Sequence, residues 1–331
     1  MIFIIVIDMT HSSIRTLASL VAVATLALTG CSNSPGKAGS QSTAAGTNDG
    51  KGGNSGGETA ERKEVSSLKP RLVVSYDGGL LTLDGATGKV LADVKKGGFL
   101  RLNPAGDGRH VVVSDGDAFR LFDVGLIAER HEDHYHYYVD SPRLTSARIK
   151  APKAGHVVNH AGRTSLFSDG DGTVQTFAAN ALKDGKLDPS EIKAFKGGDA
   201  HHGVAVPLSN GNMLTTKGTE KERHTIQEVD PSGKVVAETT DCPGVHGEAA
   251  AQSNANGDVV SFGCTNGPVV YRDGAFHKVS VPEAYQRSGN QFGSPSSPYV
   301  LADYKTVKPA EGAEGVTERP TSAGVIDTAN G

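Results

Sequence analysis

The chain has no tryptophan among its 331 residues, and only 10 phenylalanines and 8 tyrosines. A quinone-type redox cofactor stacked between flat side chains is therefore not an expected occupant. One-signed charge is missing too: 33 Lys and Arg stand against 37 Asp and Glu, a net charge of −4. So balanced a surface offers no strong field, and neither nucleic acid nor an anionic lipid surface is an expected partner. There is no nucleophile constellation, no glycine-rich phosphate loop and no basic stripe. Long apolar runs are confined to Leu17–Leu28, which is too short to span a bilayer as a stable helix. No helical period survives between the apolar segments, which speaks against a Rossmann-type α/β fold.

What is abundant is glycine, with 42 residues, mostly in Gly-Asp-Asn punctuation. That density of turn residues belongs to many short strands joined tightly.

The start of the chain reads as a targeting segment. Arg15 precedes the apolar run, which ends in Leu28-Thr29-Gly30-Cys31. This looks like a bacterial lipoprotein signal, with residues 1–30 as leader and Cys31 as the lipidated first residue. The first eight residues carry no basic charge, which points to initiation at Met9. The expected location is the outer face of the cytoplasmic membrane, held by the lipid alone. Setting Cys31 aside leaves Cys242 and Cys264. An even number in an oxidising compartment favours a disulfide, with a pair of thiolate metal ligands as the alternative. Residues 31–69 are small and polar, cannot bury enough surface to offset chain entropy, and read as a flexible tether.

From residue 70 to 331 the chain repeats itself. Leu83-Asp84-Gly85-Ala86-Thr87-Gly88-Lys89-Val90 is echoed by Val229-Asp230-Pro231-Ser232-Gly233-Lys234-Val235. Ser114-Asp115-Gly116-Asp117 is likewise echoed by Ser168-Asp169-Gly170-Asp171. Turn glycines at 108, 162, 211 and 257 are spaced 54, 49 and 46 residues apart. A unit of about 45 residues with four short strands predicts an all-β propeller of four-stranded blades. Inner strands are expected near Phe99–Asn103, His156–Ala161, His201–Leu208, His246–Gln252 and Gln291–Tyr299, with Val111–Val113 in a buried second strand. About six to eight blades are expected. The last residues repeat the Leu83–Gly88 turn and stop, so the sequence reads as lacking one or two blades at its C-terminal end.

The 12 histidines are unevenly placed. His131-Glu132-Asp133-His134-Tyr135-His136 packs three imidazoles and two carboxylates into six residues, a density with no packing rationale. His131, Asp133, His134 and His136 are candidate ligands for a borderline metal, zinc being favoured. His156, His201 and His246 follow at intervals of 45 and 45 residues, one per blade. Near the starts of inner strands they would converge on the channel as a tripod, with His202 as the alternative arm. By strand count the two sets lie at opposite ends of the propeller, which means either two metal sites or a long insertion, Leu126–Pro142, that folds across the face; Cys242 and Cys264 lie at the tripod end. His110, His160, His224 and His277 show no pattern and read as surface or turn residues.

With these features the chain resembles the AztD family of extracytoplasmic zinc metallochaperones. The resemblance rests on the His131–His136 motif, the propeller-length repeat, the blade-start histidines and the Cys242/Cys264 pair, and covers approximately residues 70–331. It implies zinc as cargo and the solute-binding subunit of a zinc ABC importer as partner, with the chain acting as a monomer. Imidazole and carboxylate ligands suit a site that must exchange its metal, and acid should release it. Other readings are a metal-dependent lyase or hydrolase, with Glu248 as general base, and a propeller that only binds a partner protein.

Overall fold

The computed structural model describes residues 2–4, 62–310 and 320–330. Most of the expected leader, Cys31 and the greater part of the tether lie outside these residues. No helix among the described residues is long and apolar enough to cross a membrane.

Six twisted sheets succeed one another along the chain as propeller blades. Blade 1 consists of Arg71–Tyr76, Gly79–Asp84 and Val90–Lys95, with Ile2–Ile4 parallel to its first strand. Blade 2 runs Leu100–Pro104, His110–Asp115, Ala118–Asp123 and Arg143–Lys150. Blade 3 runs Ala154–His160, Arg163–Ser168, Thr173–Ala178 and Lys193–Lys196. Blade 4 is Ala205–Pro207, Met213–Gly218, Arg223–Val229 and Val235–Thr239, and blade 5 is Glu248–Ala250, Val260–Phe262, Val269–Arg272 and Ala275–Lys278. The last sheet holds Gln291–Ser294, Ser297–Asp303 and Ala323–Asp327.

The echoed turns are the same device. The Asp84 carboxylate accepts from the backbone N–H groups of Ala86 and Thr87, and Asp230 from those of Ser232 and Lys234. Asp327 accepts from Ala329 and Asn330 in the same way. An Asx turn of this kind caps the loop between neighbouring strands without help from tertiary packing.

Second strands are buried on both faces, which is why Val111, Val112 and Val113 run consecutively. One side chain of each blade faces the preceding sheet and the next faces the following one. Val73 and Leu80 meet Leu102, Val111 and Phe122 between blades 1 and 2. Phe119 and Leu121 meet Val157, Leu166 and Phe177 across the next interface. Phe167 meets Met213 and Val229 between blades 3 and 4, Leu214 and Ile226 meet Val260 and Phe262 between blades 4 and 5, and Val270 meets Val300 and Ile326 beyond. Among the described residues no such cluster joins the last sheet to blade 1. The outward face of the last sheet carries an exposed row, Phe292 paired with Leu301 and Leu301 with Val325.

Three expectations are corrected. Lys63–Val65, inside the expected tether, is a strand, because it pairs antiparallel with Tyr137–Val139. Gln291–Tyr299 is two strands, since Pro295 fixes its own φ and seeds the turn between them. The inner strand of blade 4 is only Ala205–Pro207, so His201 and His202 lie in the approach to it.

Candidate metal centre

The three nitrogens that converge on the channel belong to His156, His202 and His246. His156 sits in the inner strand of blade 3 where the pairing register with the second strand slips between Ala154 and Val157. A bulge of this kind re-aims a side chain, and here the chain must turn an imidazole inward. His202 and His246 lie in the segments that lead into the inner strands of blades 4 and 5. Two glycines make the approach possible. A Cβ on Gly155 would stand 2.1 Å from Asp169 Oδ1, and one on Gly247 2.2 Å from the Gly289 oxygen, where φ is also +78°.

The ligand atoms lie within 4.8 Å of one another, and His156 Nε2 is 3.1 Å from His202 Nε2. Two nitrogens on a tetrahedral zinc ion stand about 3.3 Å apart. Behind two of the rings the other nitrogen is hydrogen-bonded, and behind the third a carboxylate lies close. His202 Nδ1 is 2.6 Å from Asp169 Oδ2, His246 Nδ1 donates to the Gly289 carbonyl at 2.7 Å, and His156 Nδ1 is 3.4 Å from Glu248 Oε2. A carbonyl can only accept, so His246 carries its proton on Nδ1 and offers a lone pair at Nε2. Outer partners of this type fix tautomer and ring orientation in metal-binding histidines. Burial, then the neighbouring His202 and Arg101, holds His156 well below the ordinary imidazole range. Burial, then His156 and His202, lowers His246 to about 2. Burial raises Glu248 to about 8 against the opposing field of Arg101. Glu248 lies on the far side of the His156 ring, 3.4 Å from its Nδ1.

His201 is not part of this group. Its ring is buried against Phe167 with centroids 5.0 Å apart, its Nδ1 donates to the Asp199 oxygen at 2.7 Å, and its Nε2 pairs with Thr216 Oγ1 at 2.9 Å. The alternative arm, His202, takes the place. Spacing along the repeat cannot resolve one residue from the next, whereas neighbouring side chains of an extended segment point to opposite sides. Asp169 and Gly289 were not singled out by sequence. Ser168-Asp169-Gly170-Asp171 is recognisable as a turn, but its counterpart Asp115 pairs with Lys96, so the motif alone does not mark an outer ligand. Nor are all the unpatterned histidines superficial. His110 is buried with Nδ1 2.5 Å from Asp107 Oδ2, and His160 pairs with Asp258 at 2.8 Å. Both are held by a nearby carboxylate, which spacing does not disclose.

The second set forms a cluster of its own. Leu126–His131 and His134–Val139 make a hairpin between the third and fourth strands of blade 2. His131 pairs with His134 across the turn, and His136 follows on the same face. Their nitrogens also lie within 4.8 Å of one another, with His134 Nε2 3.1 Å from His136 Nε2. Asp133 is not in the group. It sits at the turn, almost wholly exposed, with Oδ1 3.2 Å from His134 Nδ1. The segment from Arg62 straps this hairpin: Glu64 meets His136 Nδ1 at 2.9 Å, while Arg62 pairs with Glu129 at 2.6 Å and lies over the Tyr138 ring.

The two clusters occupy opposite ends. Ala154 N–H donates to the Gly116 oxygen and Asp169 N–H to that of Lys153, so the tripod sits beside the turns between second and third strands. Val124 N–H donates to the Arg109 oxygen, which roots the hairpin beside the turns between first and second strands. The 6-residue strand Ala118–Asp123 separates those ends by about 20 Å. Cys242 and Cys264 are joined by a disulfide, 22 residues apart in sequence. They are therefore not thiolate ligands, and the bond pins the segment that carries His246.

No protein-family model matches the chain. It is similar to the zinc chaperone AztD of Citrobacter koseri, 26% identical over 190 residues, which span 56% of this chain and 43% of AztD. The chain therefore spans less than half the length of that curated relative. A structure of apo AztD from the same organism superposes with a TM-score of 0.55 at 22% identity, over 69% of this chain and 62% of that one. A second AztD crystal structure gives 0.57 at 22%, over 76% and 67%.

Proposed function

Because the chain is an AztD-like β-propeller, we propose that it is an extracytoplasmic zinc metallochaperone that passes its cargo to the solute-binding subunit of a zinc ABC importer. The observation that carries this reading is the convergence of His156, His202 and His246 from consecutive blades, with the far nitrogens of His202 and His246 already engaged. Three neutral imidazoles bind zinc firmly but leave a coordination position open, which suits an ion that must be taken in and handed on. A closed thiolate cage would hold it. The exposed hairpin cluster, His131, His134 and His136, is a second metal-capture site, with Asp133 beside it. In this reading Cys31 carries lipid and the tether holds the propeller off the membrane.

The test is transfer. The chain is loaded with one equivalent of zinc, mixed with the apo importer subunit and separated, and the metal in each fraction is counted. Movement of zinc to the subunit faster than to an equal concentration of a small chelator supports direct delivery. Retention of zinc with hydrolytic turnover would instead favour the metalloenzyme, and failure to bind stoichiometric zinc would favour a protein-binding scaffold.

A further inference from the structure

Apart from both histidine clusters, a cleft of about 350 Å3 opens where the strap and the root of the hairpin lie against blade 1. That volume is enough for a small molecule. Its apolar wall is assembled from separate elements: Val65 of the strap, the cross-strand pair Leu126 and Val139 at the hairpin root, and Leu91 of the outer strand Val90–Lys95. Leu126 is buried, whereas Leu91 is 38% exposed at the mouth. The opposite wall is charged and carries Lys69, Arg71 and Asp84.

The charged wall sets the sign of the ligand. The Lys69 ammonium has no hydrogen-bond acceptor among the described residues and reaches Asp84 only through space. Arg71 spends Nη1 on the carbonyl oxygens of Val124 and Asp140, which are neutral acceptors at the hairpin root. Its Nε and Nη2 have no acceptor among the described residues. Asp123 and Asp140 also act on Arg71, but both are held by other guanidinium groups, those of Arg109 and Arg143. Asp84 lies opposite Arg71 across the strand pair and commits one carboxylate oxygen to its own turn. Two cations with open donors therefore face one half-committed carboxylate. Such a wall favours a carboxylate ligand, whose two oxygens match the planar fork of Arg71. The apolar wall asks for an uncharged body, which a bare inorganic anion lacks.

We propose that this cleft binds a small carboxylic acid with a branched apolar body, its carboxylate on Lys69 and Arg71 and its body against Val65, Leu91, Leu126 and Val139. Two sources share that chemistry. A short fatty acid offers the carboxylate alone. An apolar α-amino acid adds an ammonium group, which the uncommitted oxygen of Asp84 receives. In either case the occupant touches strap, hairpin and blade 1 together, so binding steadies the strap.

The metal-free full chain is titrated calorimetrically with 4-methylpentanoate, leucine and 3-methylbutylamine, and amide exchange is followed at residues 65–69. Saturable binding of at least one of the two acids is expected, with slower exchange in that segment and no binding of the amine. Leucine binding more tightly than 4-methylpentanoate assigns an amino acid; equal or weaker binding assigns a fatty acid. Lys69→Gln should weaken the acid about tenfold by removing a charge-assisted hydrogen bond. Leu91→Glu places a carboxylate at the exposed mouth and should abolish binding while thermal unfolding stays unchanged. Binding of neither acid overturns the inference. So does binding that both variants retain in full, or an amine that binds as well as the acids. Because every arm is read without metal, failure here leaves the zinc reading untouched.

Discussion

His201 and His202 are adjacent in sequence and do different work. His202 turns its Nε2 to the channel with Asp169 behind it, while His201 spends both nitrogens inside the blade interface. Replacing His202 with Ala should abolish tight zinc binding, and Asp169→Asn should weaken it about 10- to 100-fold, as loss of an outer partner does. His201→Ala should leave affinity nearly unchanged but cost about 1–3 kcal/mol of stability by emptying the space of a buried ring and removing its hydrogen bonds. Competition with a chromogenic chelator and denaturant unfolding separate these outcomes. Equal zinc loss in both histidine variants would refute the assignment. The pH dependence follows from the same residues. His246 stays neutral in the fold down to about 2, whereas the unfolded chain takes up a proton near the ordinary value of 6.5. The unfolded state then binds more protons, so the zinc-free chain loses stability as pH falls below about 6.5. Asp258 adds a second loss lower down. Burial opposes its ionisation, but hydrogen bonds from His160 and Ser209 outweigh burial and lower it from 3.8 to about 2. Its stabilisation is present above 3.8 and disappears as pH falls toward 2. Glu248, raised to about 8, acts in the opposite sense between about 4.5 and 8. His156 and His246 together outweigh it below 6.5, so unfolding free energy measured on the metal-free chain should decline from about pH 6 into acid. A flat profile would contradict both groups.

At the scale of elements, two supports stand out. The strap Lys63–Val65 adds a third strand to the histidine hairpin, and its Glu64 orients His136. Arg62→Ala with Glu64→Ala should loosen the hairpin, seen as faster amide exchange at residues 134–139, and weaken metal there about tenfold without touching the tripod. Tripod affinity falling in step would mean that the strap matters globally. The Cys242–Cys264 bond closes a segment of 22 residues, so Cys242→Ser with Cys264→Ser should lower stability by about 3 kcal/mol on the loop-entropy estimate. Thermal unfolding of the zinc-free chain checks it. The strap was invisible in sequence because Lys63-Glu64-Val65 has no apolar alternation of its own. It becomes a strand only because Tyr137–Val139 offers an unpaired edge.

For the whole molecule the decisive fact is separation. Hairpin and tripod stand at opposite ends of blade 2, about 20 Å apart, and share no partner residue. Sites so placed should behave additively within about a factor of two. The chain should bind two zinc equivalents, and the triple substitution of His131, His134 and His136 should leave tripod affinity unaltered in a calorimetric titration. A change beyond that factor would mean that the ends communicate. The opposite placement was legible in the sequence, because strand counting needs only the order of turns. The choice between His201 and His202 was not, since it depends on which way one residue of an extended loop faces. His110 and His160 were misplaced for a related reason. Asp107 meets His110 from the turn just before its strand, and Asp258 reaches His160 from another blade.

Sequence by itself determined the architecture and the chemistry. The Asp-to-Gly turns are satisfied within a few residues, the buried second strands announce themselves as continuous apolar runs, and the histidine-rich motif holds the three imidazoles that the hairpin brings together, though not Asp133 with them. Tertiary structure alone decided which imidazoles meet and what stands behind them. Those are contacts between residues 33 to 92 positions apart, and their energies depend on burial and direction, quantities that a linear spacing does not contain.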